Sequence, residues 1–199
     1  MKGSALLEGA AAELFRESCR APLISARERG SGPWLEPEAT AALIPHRPPF
    51  LFVDRITHVA RTPPAPPATA VRDATAAPGA LGTIVCRHDL RRDLPILAGH
   101  FPGQPLWPGV LQVEAIGQAG LCLLRLLEPP APGEEVPDLA LTDILAGRYL
   151  RPVVPDGEVE IVARTLRDGL FAIVVGQCLQ EGQVCSAAAV RGIEKEVRA

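Results

Sequence analysis

The feature that most constrains this chain is an apolar run from Val110 to Leu127, opened by Pro108-Gly109 and stopped before Pro129-Pro130. Proline fits the first turn of a helix, glycine permits close backbone approach, and a proline pair disfavours helix in the residue before it. The run therefore reads as one helix over 109–127, about 28 Å long at 1.5 Å per residue. Gln112, Glu114, Gln118 and Arg125 break its apolar character, so no window approaches the roughly 20 apolar residues of a membrane span. A helix this greasy must be covered, and the chain must supply the cover.

The rest of the chain supplies strands. Phe50–Ile56 looks like the start of one and Leu81–Arg87 is another. Four strand-like runs follow the helix, at 139–150, 158–167, 169–179 and 183–192. Asp168-Gly169 and Glu181-Gly182 separate the last three, the usual signature of tight hairpins. Val159, Ile161 and Ala163 alternate with Glu158, Glu160 and Arg164, as in a half-buried strand; Leu170–Val175 is apolar on both faces and should be central. The expected fold is α+β: an antiparallel sheet covered by the long helix.

The front of the chain reads differently. Residues 4–18 carry Leu6, Leu7, Ala10, Ala11, Leu14 and Phe15 at helical spacing. Residues 20–37 read as a linker, and 38–44 as a short helix ended by Pro45. Residues 61–79 are dominated by Pro, Ala and Thr and read as an exposed insertion. The expected organisation is an extension over 1–37 and one domain over 38–195.

A net charge of -3 and 4% aromatic residues give no basic surface or stacking platform for nucleic acid. The five cysteines are widely spaced, with no C-x-x-C pair, so neither a zinc site nor a disulfide framework is expected. Cys86, Cys178 and Cys185 read as small core residues. Met1–Ser18 lacks a secretory pattern, and a cytoplasmic location, with no membrane partner, is expected.

The chemistry-bearing segment is Gly99-His100-Phe101-Pro102-Gly103, which runs into Pro108-Gly109-Val110-Leu111-Gln112-Val113-Glu114. A histidine with an unperturbed pKa of about 6.5 is a natural base at neutral pH. A carboxyl among Val110, Leu111 and Val113 is expected to have its pKa raised by burial, as a general acid requires. Such a pair can remove a proton next to a carbonyl and expel a hydroxyl. Gly109 offers a backbone N–H to the developing negative oxygen, aided by the helix dipole. Gln118 lies one turn beyond Glu114 and can orient it. A lone histidine in a turn is usually structural, and a lone Glu in a helix is usually an ion-pair partner; only their combination argues for catalysis.

That combination carries a resemblance. His46-Arg47-Pro48-Pro49-Phe50-Leu51-Phe52-Val53-Asp54-Arg55, then Gly99–Gly103, then Pro108–Leu111 with Glu114-Ala115 and Gln118-Ala119, resembles the motif set of the FabZ-type β-hydroxyacyl-acyl carrier protein dehydratases. Arg148-Tyr149-Leu150-Arg151-Pro152-Val153-Val154-Pro155 resembles the family's later strand-to-loop segment. The resemblance implies a hot-dog fold and dehydration of (3R)-3-hydroxyacyl thioesters to trans-2-enoyl thioesters, in fatty acid or polyketide/polyene-type biosynthesis. It implies His100 and Glu114 as catalytic residues from different subunits of a homodimer or trimer of dimers, with Gly109 at the thioester oxygen. Gln118 and His46 would support the site, His46 by packing rather than chemistry. Phe101, Trp107, Pro108 and Val110 would wall an acyl tunnel. No cofactor or metal is implied beyond the phosphopantetheine arm of the acyl carrier protein, and Arg91, Arg92, Arg148 and Arg151 could steer that acidic partner. His58 and His88 read as surface or strand histidines, and Asp54-Arg55 as a structural pair.

The chain departs from the pattern at Ile116-Gly117, where the family commonly has methionine-alanine, and at Trp107, which is bulkier than the usual aliphatic. The alternatives are the related dehydratase/isomerase type, which carries Asp where this chain has Glu114, a hot-dog thioesterase, and a non-catalytic acyl-binding scaffold subunit. The D-x-N-P-x-H motif of MaoC-type hydratases is absent.

Overall fold

The computed structural model describes residues 7–29, 34–62, 79–129 and 138–195. In chain order its elements are α1 (Gly9–Ser18), α2 (Pro37–Ala42), β1 (Arg55–Arg61), β2 (Gly79–Leu90), α3 (Pro95–Ala98), α4 (Gly109–Leu127), β3 (Asp138–Tyr149), β4 (Gly157–Asp168), β5 (Phe171–Gln180) and β6 (Gln183–Lys195). The long helix has the expected bounds. The strand expected from Phe50 begins only at Arg55, because Phe50 and Phe52 use their backbone groups on Gln118 instead of a ladder. Of the Pro/Ala/Thr stretch, residues 63–78 lie outside the described residues.

The turns were written in the sequence. Gly169 has φ +61 and is the first of the two residues between paired Asp168 and Phe171, the II′ pattern. Glu181 and Gly182 both have positive φ, 53° and 74°, between paired Gln180 and Gln183, the I′ pattern. The six strands form one antiparallel sheet in the order β1-β2-β4-β5-β6-β3, with β3 at an edge. One face lies on α4, which meets β2, β3, β4, β5 and β6. By length and composition α4 could cross a membrane, but most of it is buried. Its apolar residues, among them Val113, Ile116, Ala119 and Leu123, pack with Ile84, Cys86, Val159, Ile161, Ala163 and Val174 of the sheet. This is the helix-in-sheet architecture that the hot-dog expectation required.

The other sheet face is covered too. Ala11 and Leu14 of α1 pack on Leu166, Ile173, Val175 and Ala189. Leu23 and Ile24 pack on Val85, Val162, Leu179 and Val184. The segment read as a linker is therefore anchored over residues 20–29. Gln177, fully buried on β5, accepts from Leu23 N–H (2.6 Å) and donates to the carbonyls of Ser18 (2.8 Å) and Ala21 (3.2 Å). Arg164 donates to Leu23 O, and Arg29 pairs with Glu160 at 2.9 Å.

From Glu160 a line of charges crosses the strands. Arg87 bonds both Glu160 and Glu158, and Arg55 bonds both Glu158 and Asp89. Asp54 and Arg55 thus each bond other partners, while each charge still favours the other. Asp54 accepts from His88 Nδ1 (3.1 Å) and Asp89 N–H (2.7 Å). Burial pushes the Asp54 carboxyl up, but the His88 contact and the Asp89 N–H outweigh it and hold it below its ordinary value. His88 is a buried core histidine, packed beside Phe52 and Trp107.

Candidate active site

The loop between α3 and α4 closes on itself around His100. Leu106 N–H donates to His100 O at 2.7 Å, and His100 Nδ1 lies 3.0 Å from Leu106 O. A carbonyl only accepts, so Nδ1 carries the proton and Nε2 of the neutral ring keeps its lone pair. The Phe101 ring stacks on the imidazole at 4.2 Å, and the His100–Phe101 peptide is cis. His100 lines a cavity of about 590 Å³ together with Leu106, Trp107, Pro108, Gly109, Val110 and others.

Pro108 O accepts from Leu111 and Gln112 N–H. The N–H groups of Gly109 and Val110 are left at the cavity wall with no backbone partner among the described residues. They are the orphan donors of a helix start, where the dipole favours negative charge. Glycine at 109 also lets the Tyr149 ring lie close: a Cβ there would meet it at 2.5–2.9 Å, and the ring would have to move.

Glu114 does not line this cavity. It lines a second one, of about 170 Å³, with His46, Gln118, Gly117, Leu121, Val113 and four sheet residues. None of the residues lining one cavity lines the other. The carboxylate is held firmly. Gln118, 1% exposed, donates from Nε2 to Glu114 Oε1 at 2.9 Å and to Phe50 O at 3.0 Å, while its Oε1 accepts from Phe52 N–H at 2.9 Å. His46 Nε2 lies 3.4 Å from the same Glu114 oxygen. The expected rise in the Glu114 pKa is not what this geometry produces. The hydrogen bond from His46 holds the carboxyl below its ordinary value; burial opposes it, and the Gln118 amide adds to it. His46 therefore touches the carboxylate rather than only packing nearby.

The other residues marked in the sequence divide. Pro108 and Val110 line the His100 cavity. Trp107 does too, but its indole is 2% exposed and packed on Phe52 and His88, so it is equally a core residue. Phe101 stacks on His100 and is exposed, outside the cavity lining. Arg151 lines the cavity and Arg148 is exposed three residues earlier. Arg91 and Arg92 lie on the surface, each already paired, with Asp93 and Asp156. Sequence reasoning quoted Tyr149 within the Arg148–Pro155 segment but gave it no role; it lies against Gly109, and being the chain's one tyrosine was a further signal. Among the described residues, no group of three His, Cys, Asp or Glu side chains could hold a metal. Burial pushes the Cys122 and Cys178 thiols up to about 12, so neither is a nucleophile.

Residues 79–186 match the ApeI-like family, described as ApeI dehydratase. The 3-hydroxyacyl-[acyl-carrier-protein] dehydratase FabZ of Anaeromyxobacter sp. (strain Fw109-5) is 33% identical over 164 residues, 81% of this chain and 90% of that protein. The chain belongs to the FabZ dehydratase family. A further FabZ, from Anaeromyxobacter sp. (strain K), is 35% identical over 159 residues, 78% of this chain and 88% of that one. Among solved structures, the dehydratase heterocomplex ApeI:P from Xenorhabdus doucetiae shares the fold, with a TM-score of 0.53 at 16% identity over 79% of this chain and 91% of that one. Membership of the FabZ family agrees with the motif resemblance and with the hot-dog architecture.

Proposed function

We propose that this chain dehydrates (3R)-3-hydroxyacyl thioesters on acyl carrier protein to trans-2-enoyl thioesters, in cytoplasmic fatty acid or polyketide/polyene-type biosynthesis. The observation that carries the proposal is the division of the site. A base with a free Nε2 shares one cavity with the Gly109 N–H, while the carboxylate sits in another. A second copy brings them together, with His100 of one chain facing Glu114 of the other. The edge of β3, unpaired among the described residues, the exposed Val110, Tyr149 and Leu141 that line the two cavities, and the exposed Ile144 on the same strand support such an interface.

His100 Nε2 takes the proton from C2 of the substrate. The electron pair moves toward the thioester carbonyl, whose oxygen gains negative charge at the Gly109 N–H. The C3–O bond then breaks, the C2–C3 double bond forms, and the leaving hydroxide takes a proton from Glu114 to become water. Closing the dimer over Glu114 desolvates it and opposes the lowering by His46, which favours the protonated acid. Each acid/base group contributes on the order of 10²–10⁴-fold, and the residues require no metal or cofactor. We place the domain proper at 38–195 and the extension at 1–37, of which residues 7–29 serve as an accessory covering. For carrier recognition, Arg151, which lines the His100 cavity, suits its mouth better than Arg91 and Arg92, whose charges are neutralised locally, or Arg148, whose charge acts on Cys19 at the end of α1.

Enoyl absorbance from purified protein and a 3-hydroxyacyl thioester is the first test. His100→Ala and Glu114→Gln should each lose at least 10²-fold in kcat. Co-expressing the two variants should restore roughly a quarter of the sites, because a mixed two-fold dimer holds one intact site. Undiminished activity in either variant, or no recovery on mixing, refutes the arrangement.

A further inference from the structure

Glycine in a helix interior costs stability, so each helical glycine needs a reason. In α4, Gly120 has a packing reason: a Cβ there would overlap the Val174 side chain. Gly117 has none. A Cβ at 117 would meet nothing within 4 Å, because the space above it is the cavity of Glu114. That cavity is two-sided. His46, Glu114 and Gln118 form its polar end. Val113, Gly117 and Leu121, four residues apart on one helix face, form an apolar floor, walled by Val174, Val190 and Leu141 from the sheet.

We infer that Gly117 is the chain-length determinant of this site. It keeps open an apolar slot that runs from the carboxylate toward Leu121 and receives the acyl tail beyond C3. This rests on the dehydratase reading above, which puts C3 at Glu114. An apolar cavity of about 150 Å³ takes a benzene ring, so this one, of about 170 Å³ with a polar end, takes a tail on the order of five or six carbons beyond C3, a substrate of about eight carbons. A short acyl group leaves the slot empty. A long one must press on Leu121, where the floor ends.

The test uses the full chain with 3-hydroxybutyryl, 3-hydroxyoctanoyl and 3-hydroxydodecanoyl thioesters. The wild type should show its highest kcat/KM with the octanoyl substrate. Gly117→Leu fills the slot and should lower the octanoyl-to-butyryl ratio of kcat/KM at least tenfold, the usual scale for a methylene-sized misfit in an apolar pocket. Gly117→Ala, a milder filling that keeps the helix, should lower it by a smaller factor. Leu121→Ala should raise the dodecanoyl-to-octanoyl ratio. A ratio unchanged in the two Gly117 variants overturns the inference, as does a wild type that prefers butyryl. Binding of octanoyl thioester lacking the 3-hydroxyl, measured by calorimetry, separates the two readings. Weaker binding in Gly117→Leu, with no turnover of any substrate by the wild type, refutes the dehydratase reading and leaves the slot standing; wild-type turnover with binding unaltered in Gly117→Leu refutes the slot alone.

Discussion

Glu114 is the residue whose chemistry the structure most changes. Sequence context pointed to burial and a raised pKa. The folded chain gives it His46 and Gln118 as partners, and they win. The sign of the consequence is definite. A carboxyl lowered in the folded state stabilises the fold at neutral pH. That contribution begins to fade as the pH falls past the ordinary value of about 4.3 and is gone below the folded pKa. Replacing His46 by Gln should move the Glu114 pKa up toward the ordinary value, read by carboxyl NMR titration, and so enlarge the protonated, acid-competent fraction at a given pH. A titration that stays put would show that His46 does not govern this carboxyl. Residues 46 and 114 meet only through the fold, so no sequence spacing announced the contact. The Gln118–Glu114 bond, by contrast, spans one helical turn and was legible.

At the scale of elements, glycines in α4 make opposite predictions. Gly120→Ala drives a methyl into Val174 and should cost about 1–3 kcal/mol by overpacking. Gly117→Ala adds a methyl to open space and should stabilise by about 0.5–1 kcal/mol. Denaturant melts of the two variants decide it. The outer covering offers a third case. Gln177→Leu strands the Leu23 N–H and the Ser18 and Ala21 carbonyls, and should cost about 1–3 kcal/mol. Amide exchange over residues 18–29 should speed up more than exchange in α4; equal effects would mean the segment is held by something else. The long helix and the hairpins could be read directly, because proline, glycine and apolar period mark them locally. The anchoring of residues 20–29 could not, because it depends on one glutamine in a distant strand. The four-residue α3 was missed for another reason: it is too short to show a period.

For the whole molecule, the proposed dimer is the quantity at stake. β3 is a twelve-residue edge strand with Ile144 58% exposed. Ile144→Lys removes no contact within the chain's core, so the melt should be little changed while sedimentation shifts to monomer and turnover falls at least tenfold. A variant that stays dimeric and active would move the interface elsewhere. The line of charges across the outer face has a different kind of consequence. Arg55 and Arg87 stand directly opposite each other on paired strands, and Glu158 bridges them. A lineage that loses the acid first leaves two cations face to face, with Asp89 and Glu160 only on their far sides, at a cost of about 0.2–1 kcal/mol. The path back is to lose an arginine as well. Descendants of this chain should therefore inherit the trio intact or exchange it as a set, so its members will be found to vary together rather than one at a time.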